Sequence, residues 1–334
     1  MKKIIFIVLM LLLLTGCGGV DKTKVINNFV DSVEGIKSYS LKGKMEIYND
    51  EDTYSYEMDV YYMDDDYFKV EMVNNINSNE QIILRDSEAV YVVTPSLNKS
   101  YKFTSEWPYN SSQAYILNTL AKDVKEDDSV TFEEDDNEYV IKAKVNYPNN
   151  ANLSYQKLYF DKKLKLKAVD VFDKEDILAI SVKFNKINYK AKLSKKDFNI
   201  DSIVDKKVNS EISEEDENVS NLEDIIYPLY VPADTYLKEK EVVNTENGER
   251  AILTFNGAKN FVLIEEVVSD NQEFETIPVF GDPLMISDTI GVISSNSLSW
   301  SSDKVNYYLA SNDMSGEEIL TVANSLNVTE YVGK

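Results

Sequence analysis

Cys17 carries the only thiol in this 334-residue chain, and the residues around it decide what chemistry it can do. It follows Met1-Lys2-Lys3, an unbroken apolar run from Ile4 to Leu14, and the small residues Thr15 and Gly16. Two lysines, a short hydrophobic stretch and a small-residue cut site make a secretory signal peptide over residues 1–16, since the run is too short to stay in a bilayer as a spanning helix. Histidine is absent. Without it, and with the one thiol at the cut site, the common zinc ligand sets, Cys-His and Ser-His nucleophiles and any intrachain disulfide are excluded. The remaining candidates for chemistry are carboxylates, 58 of them against 35 cationic residues. Paired carboxylates suffice for glycoside hydrolysis, but at this abundance pairs arise everywhere. Glu133-Glu134-Asp135-Asp136 reads as a hairpin turn before it reads as a catalytic site.

Leu14-Thr15-Gly16-Cys17 resembles the lipobox of bacterial lipoproteins, in which the cysteine thiol is alkylated by a diacylglyceryl group and becomes residue one. The thiol is the best nucleophile available, and Gly16 leaves room at the bond to be cut. The competing reading is a signal peptide that happens to contain a cysteine. Each buried methylene contributes about 0.8 kcal/mol of membrane affinity, and two chains anchor where one does not. Residues 17–20 are therefore expected to tether a water-soluble body to the outer face of a membrane. No later apolar stretch approaches the roughly twenty residues needed to span. A net charge of -23 argues against nucleic acid as a partner, and neither a metal nor a cofactor is expected.

The elements that must position any site begin at Asp21, placed to cap a helix whose apolar stripe is Val25, Ile26, Phe29, Val30 and Val33, ended by Gly35. From Ser38 the period changes to two. Tyr39, Leu41, Met45 and Ile47, then Tyr54, Tyr56, Met58, Val60 and Tyr62, then Phe68, Val70 and Met72 alternate with polar residues, separated by acidic turns. Apolar runs at Gln81 to Leu84 and Ala89 to Val93 follow, and a Pro95 turn leads to Tyr101 and Phe103. The pattern breaks at Trp107-Pro108-Tyr109, ahead of a helix expected from Ser112 to Lys125 with Ile116, Leu117, Leu120, Ala121 and Val124 on its apolar face. Strands resume at Val130 to Phe132, Tyr139 to Val145, Leu153 to Phe160, Leu164 to Phe172 and Ile177 to Tyr189. Helix, meander, inserted helix and second meander predict a curved sheet wrapped around helices.

This order resembles the LolA/LolB-like superfamily of half-barrel lipoprotein carriers, and among its relatives the Gram-positive sporulation and germination lipoproteins of clostridial type (GerS-like). The resemblance rests on the first helix running into Ser38-Tyr39-Ser40-Leu41-Lys42-Gly43-Lys44-Met45, on Tyr67-Phe68-Lys69-Val70-Glu71, on Val90 to Lys99 with its proline turn, and on Leu158-Tyr159-Phe160-Asp161. It implies an α+β fold in which a curved antiparallel half-barrel occupies residues 21–200.

Residues 201–222 turn polar and acidic, around Ser210-Glu211-Ile212-Ser213-Glu214-Glu215-Asp216-Glu217, and read as a solvated linker. A calcium loop is the sharper alternative, but the required glycine and ligand spacing are missing. Residues 223–334 are expected to form a smaller α+β domain. Its strands fall at Lys240 to Asn244, Arg250 to Phe255, Phe261 to Val268, Thr289 to Ile293, Ser297 to Trp300 and Val305 to Ala310, with an Asn247-Gly248 hairpin turn. A final helix is capped by Ser315 and Glu318. The ending Tyr307 to Leu326 resembles an uncharacterised Gram-positive domain that closes several sporulation lipoproteins.

Three functions follow. The resemblance to germination lipoproteins implies a tethered body that docks a protein partner such as a cell-wall hydrolase, and a strand edge such as Ala89 to Val93 is one place to pair with it. Alternatively, the half-barrel is a carrier or sensor holding an acyl chain. Tyr54, Tyr56, Met58, Val60, Phe68 and Val70 would then form the sheet wall, with Trp107, Ile116, Leu117 and Leu120 opposite. The plain competitor is that these ten residues pack on one another as core. A carboxylate-based hydrolase is the third.

Overall fold

The computed structural model describes residues 21–326, apart from 50–51, 136, 208–221, 223, 246–247, 268–273, 287–288 and 303. The signal peptide, Cys17, most of the acidic stretch from 208 and the first residue of the Asn247-Gly248 turn lie outside the described residues.

Helix α1 (Lys22–Glu34) starts where Asp21 accepts a hydrogen bond from the Lys24 amide at 2.8 Å, and it buries Val25, Phe29, Val30 and Val33. The chain then forms β1 (Ser38–Asn49), β2 (Asp52–Met63), β3 (Tyr67–Asn74), β4 (Glu80–Arg85), β5 (Val90–Thr94) and β6 (Lys99–Phe103), each antiparallel to the one before. Helix α2 (Leu117–Glu126) interrupts, and β7 (Thr131–Glu134), β8 (Glu138–Lys144), β9 (Leu153–Asp161), β10 (Leu166–Asp173) and β11 (Leu178–Asn188) make the second meander. The two meanders join where β11 pairs with β1. That ladder slips between Lys42 and Gly43, and a β-bulge bends its strand and adds twist. Gly43 fits because a Cβ there would sit 2.6 Å from the Lys183 carbonyl oxygen and 2.9 Å from the Met58 methyl.

The concave face wraps α1 and α2. Phe29 meets Phe160 edge-on at 5.3 Å, and α2 buries Leu117, Leu120, Ala121 and Val124. The helix expected from Ser112 begins instead at Leu117. The buried phenol of Tyr39 accepts from the Leu117 amide at 3.2 Å and donates to Asn118 Oδ1 at 3.1 Å, capping the helix from the sheet. Residues 112–116 make turns instead, Thr119 Oγ1 donating to the Gln113 and Ile116 carbonyls.

On the convex face, helix α3 (Ile200–Lys207) places Ile203, with Phe198 just ahead of it, over Tyr67, Ile82, Leu84, Tyr91 and Val93. This cover explains why the runs Gln81 to Leu84 and Ala89 to Val93 are apolar on both faces. It also shows that the segment expected as linker from residue 201 opens as a packed helix.

The second half builds a sheet of β12 (Thr235–Thr245), β13 (Gly248–Gly257), β14 (Phe261–Val267), β16 (Asp282–Ile286), β17 (Thr289–Ile293), β18 (Ser297–Ser302) and β19 (Val305–Ala310), in the spatial order β12-β13-β14-β19-β18-β17-β16. Helix α4 (Gly316–Asn324) covers it with Ile319, Leu320, Val322 and Ala323, and its Ser315–Glu318 capping box is present. Gly257 closes one hairpin at φ 141°, where a Cβ would lie 2.0 Å from the Asp234 carbonyl oxygen. The short β15 (Glu275–Pro278) leaves this half and pairs in parallel with β6, as the twelfth strand of the first sheet. The strand at Ala89 to Val93 is accordingly no edge: β5 lies between β4 and β6, and β15 covers β6. The whole is α+β, an open and almost entirely antiparallel curved sheet around helices, followed by a second antiparallel sheet ending in a helix.

Candidate functional site

Nine of the ten residues expected to wall a half-barrel cavity meet in one apolar cluster. Tyr56, Met58, Val60, Phe68, Val70, Trp107, Ile116, Leu117 and Leu120 are each at most 2% exposed. Phe68 takes the Trp107 ring edge-on at 6.2 Å and the Tyr109 ring edge-on at 5.7 Å. Tyr54 differs: it is half-buried at the end of the sheet and borders open space.

That space is a cavity of about 410 Å³ at the open end of the half-barrel, where the second sheet closes over it. Met45, Ile47, Ile83 and Ile180 line it from the first sheet, the loops at Asn110–Tyr115 and Tyr147–Asn150 line its side, and Pro283, Leu284, Met285, Ile290 and Leu320 line it from the second half. Three sets of contacts hold the halves together around it. Gln81, 5% exposed, accepts from the Ile290 amide at 2.6 Å and donates to Thr289 Oγ1 at 2.7 Å. Thr289 Oγ1 in turn donates to the Ser301 carbonyl at 2.9 Å. The β6–β15 ladder is reinforced by Ser100 and Thr276 at 2.8 Å, and Ser105 donates to the Asp282 carboxylate. Ile290 and Val292 belong to the first sheet's core cluster, so the two halves share apolar packing.

The side loop is pinned from both ends. Arg85 donates to the Ser105 and Trp107 carbonyls, each at 2.7 Å. Ser112 and Asn146 exchange bonds, the Ser112 amide reaching the Asn146 carbonyl at 2.7 Å and the Asn146 amide reaching Ser112 Oγ at 2.8 Å. Nearby, burial pushes the Asp123 carboxyl up to about 6, opposed by hydrogen bonds from Ser112 and Gln156. Burial likewise raises the Tyr115 and Tyr147 phenols. Among the described residues no lysine or arginine lines the cavity, and Asp282 is the one charged residue that does.

A second buried acid stands apart. Glu265 on β14 is fully buried, accepts from the Ile226 amide at 3.0 Å, and is pushed up to about 7 by desolvation; among the described residues its Oε1 has no hydrogen-bond partner. Elsewhere the carboxylates behave as turn formers. Asp135 Oδ1 accepts from the Asn137 and Glu138 amides at 2.7 and 2.8 Å, and Glu134 pairs with Lys162 at 3.0 Å. Among the described residues no cluster of histidine, cysteine or carboxylate side chains could hold a metal ion.

Sequence reasoning missed the seam cavity and its polar clasp. Gln81 did give a signal, a buried amide at the start of an apolar strand, but its partner lies 208 positions away. Strands β15 and β16 were missed because Pro278, Gly281 and Pro283 interrupt their patterning.

The fold is thus an open antiparallel sheet that wraps helices, followed by a second antiparallel sheet ending in a helix. The chain belongs to the sporulation protein YdcC-like family, whose model matches residues 1–198. It is 33% identical over 323 residues to the sporulation protein YdcC of Bacillus subtilis (strain 168), spanning 95% of this chain and 94% of that protein. Solved structures with weaker likeness include the Pseudomonas aeruginosa MucA/MucB complex, at TM-score 0.30 and 10% identity over 89% of this chain and 97% of that one. Another is the complex of the CwlD amidase with the GerS lipoprotein from Clostridioides difficile, at TM-score 0.32 and 16% identity over 51% and 96%.

Proposed function

We propose that this sporulation-family protein is a non-enzymatic lipoprotein, anchored through Cys17 at the extracytoplasmic face of the membrane, whose half-barrel body docks a protein partner at the cell envelope. A cell-wall hydrolase is the partner class, following the resemblance to germination lipoproteins. The supporting observation is the filled interior. Tyr56 to Val70 on the sheet and Trp107 to Leu120 opposite already pack on one another, so an acyl chain between them would have to displace close-packed core. A sheet stiffened in this way offers surfaces rather than a channel.

The tether adds a geometric argument. Three residues separate Cys17 from Asp21, where the first helix is capped. Four peptide steps reach at most about 14 Å. The lipid would therefore hold the start of α1 close to the headgroups.

The experiment has two arms. Sporulating cells expressing the full chain are labelled with an alkyne fatty acid, and the label is expected on the wild type and absent from Cys17→Ala; label retained by that variant would remove the anchor. Purified full-length protein in detergent is then titrated against purified cell-wall hydrolases. Saturable binding that changes hydrolase activity is the expected result, and no binding to any of them would sink the docking reading while leaving the anchor intact.

A further inference from the structure

Lysine is the minority charge in a chain of net charge -23, yet it gathers on the outer face of the first sheet. Along β8 to β11 and β1, Ile141, Leu158, Val169, Val182 and Met45 point into the core. Their neighbours Lys142, Lys157, Lys183 and Lys44 therefore point outward. The ladders set these lysines opposite one another: Lys142 faces Lys157, Lys183 faces Lys44, and Lys186 faces Lys42. Like charges directly opposed across a ladder destabilise it, and an anion laid on the face would relieve that repulsion. The acids beside them are already engaged. Glu46 takes Lys44 at 2.9 Å and the Tyr48 hydroxyl at 2.9 Å, Asp59 takes Lys42 at 2.6 Å, and Asp170 lies against the Tyr159 hydroxyl. Glu57 on β2 and Glu133 on β7 mark the margins. Among the described residues Lys142, Lys157, Lys183 and Lys186 form no ion pair.

Aromatic rings lie between the lysines. Tyr155 and Phe172 stack at 5.0 Å and 13°, with Lys142 Nζ 3.5 Å from the Tyr155 centroid and Lys157 Nζ 5.4 Å from that of Phe172. The ring quadrupole attracts a cation over its face, which holds both ammonium groups low over the sheet. Rings with cations beside them match a bilayer interface, where tyrosine settles at headgroup level and lysine meets anionic lipid.

The tether leaves the body beside this face. Lys22, at the start of α1, donates to the Val130 carbonyl, and Val130 directly precedes β7, whose Thr131 is opposite Lys142. From Asp21 to Cys17 the chain reaches at most about 14 Å, and the Lys142 and Lys157 strands lie only about 5 and 10 Å from β7. A body held this closely can roll over its β7 edge to either side. On the helix side it would present Asp31, Glu34, Glu126, Asp127 and Asp128, with Lys125 already paired to Glu34. An anionic surface repels that side and attracts the other.

We propose that the outer face of β8 to β11, through Lys142, Lys157, Lys183 and the Tyr155–Phe172 pair, rests on the headgroups of anionic phospholipid and fixes how the tethered body is oriented. This rests on the anchor at Cys17: the tether supplies proximity, and the face decides which way the body turns. A body of net negative charge is repelled as a whole, so the face contributes orientation rather than free affinity.

The test makes the tether chemically, independent of acylation in the cell. The chain from Cys17 onward, which keeps every described element, is coupled through its one thiol to maleimide-headgroup lipid in vesicles. Acetylation of each lysine is timed by mass spectrometry on phosphatidylglycerol vesicles and on phosphatidylcholine vesicles. Lys142, Lys157, Lys183 and Lys186 should react at least about fivefold more slowly on the anionic surface, while Lys238 and Lys240 on β12 change less than about twofold. In about 1 M salt, where the screening length falls to about 3 Å, the protection should vanish. Lys157→Glu with Lys183→Glu should remove it at Lys142 and Lys186. Should that pair disturb the circular dichroism, Lys144→Glu with Lys186→Glu, both at exposed positions, is read at Lys142 and Lys157 instead. Equal rates on the two vesicles, greater protection of Lys24 and Lys125 on the helix side, or protection surviving in a folded variant would each overturn the proposal. So would protection by soluble polygalacturonate with none from phosphatidylglycerol, which would reassign the face to an anionic polysaccharide. If the fatty-acid label fails in cells while these rates differ as expected, the anchor falls and the lipid-binding face remains.

Discussion

Replacing Gln81 by leucine should uncouple the two halves while leaving each intact. The substitution keeps the volume near 5% exposure but removes both good bonds of the clasp, to the Ile290 amide at 2.6 Å and to Thr289 Oγ1 at 2.7 Å. Thr289 keeps its bond to the Ser301 carbonyl, so its loss is modest, about 1 kcal/mol. The Ile290 amide is left as a buried donor without a partner, worth about 2 kcal/mol more. The combined loss of about 3 kcal/mol falls on the seam. The two tryptophans report on it separately, since Trp107 packs under the first sheet and Trp300 stacks on Tyr307 in the second at 5.1 Å. Urea unfolding in Trp107→Phe and Trp300→Phe backgrounds therefore resolves the halves. At a denaturant dependence of about 1.5 kcal/mol per molar, the Trp300 transition should move down by about 2 M, with the Trp107 transition moving far less. Equal shifts of both transitions, or a Trp300 shift under about 0.3 M, would show that the clasp does not hold the seam.

The buried acids make the same two transitions sensitive to pH. Glu265 rises from 4.5 to about 7 in the folded state, so folding holds its proton more tightly than the unfolded chain does. Stability of the second half is then full below pH about 4.5 and falls by about 3 kcal/mol as the pH rises through 7. Glu265→Gln, which preserves the bond from the Ile226 amide, should flatten that slope in the Trp300 transition. Asp123 rises from 3.8 to about 6, and Asp123→Asn should flatten the Trp107 transition between those pH values. Gly43→Ala should destabilise the first half by about 2 kcal/mol, because the new Cβ meets the Lys183 carbonyl oxygen at 2.6 Å, and backbone cannot swing aside. A loss under about 0.5 kcal/mol in urea titration would mean that the bulge relaxes freely.

Much of this fold was legible in the sequence because its information is local. The alternation of Tyr54, Tyr56, Met58 and Val60 fixes which face of β2 is inward, and Asp21 and Ser315 mark their helix starts through bonds spanning three residues. What escaped notice depends on contacts between distant segments. The start of α2 is set by Tyr39 from β1, 78 positions away, so the apolar face alone overran the helix by a turn. Ile203 and Val204 look like a brief apolar pair at the mouth of an acidic linker until the convex patch of Tyr67, Ile82 and Leu84 is seen beneath Ile203. The ten residues read as a cavity wall are apolar and face inward, and composition carries no information about whether facing side chains leave a gap.

The gap instead lies where two units of different origin in the sequence meet, and that placement has a physical reason. A single sheet wrapping two helices can optimise its own interior, and Phe68, Trp107 and Tyr109 do so with edge-on ring contacts. Its open end must be closed by strands whose positions are set elsewhere. Gln81 holds Thr289 and Ile290, and the β15 ladder holds Glu275 to Pro278, so Pro283 and Leu284 arrive at the end of the half-barrel on a path fixed at both sides of them. Close packing there would need Met45, Ile83 and Ile180 to match a surface that their own sheet does not control. The polar clasp therefore fixes how the two halves meet across the cavity, and weakening it should loosen that seam before either core.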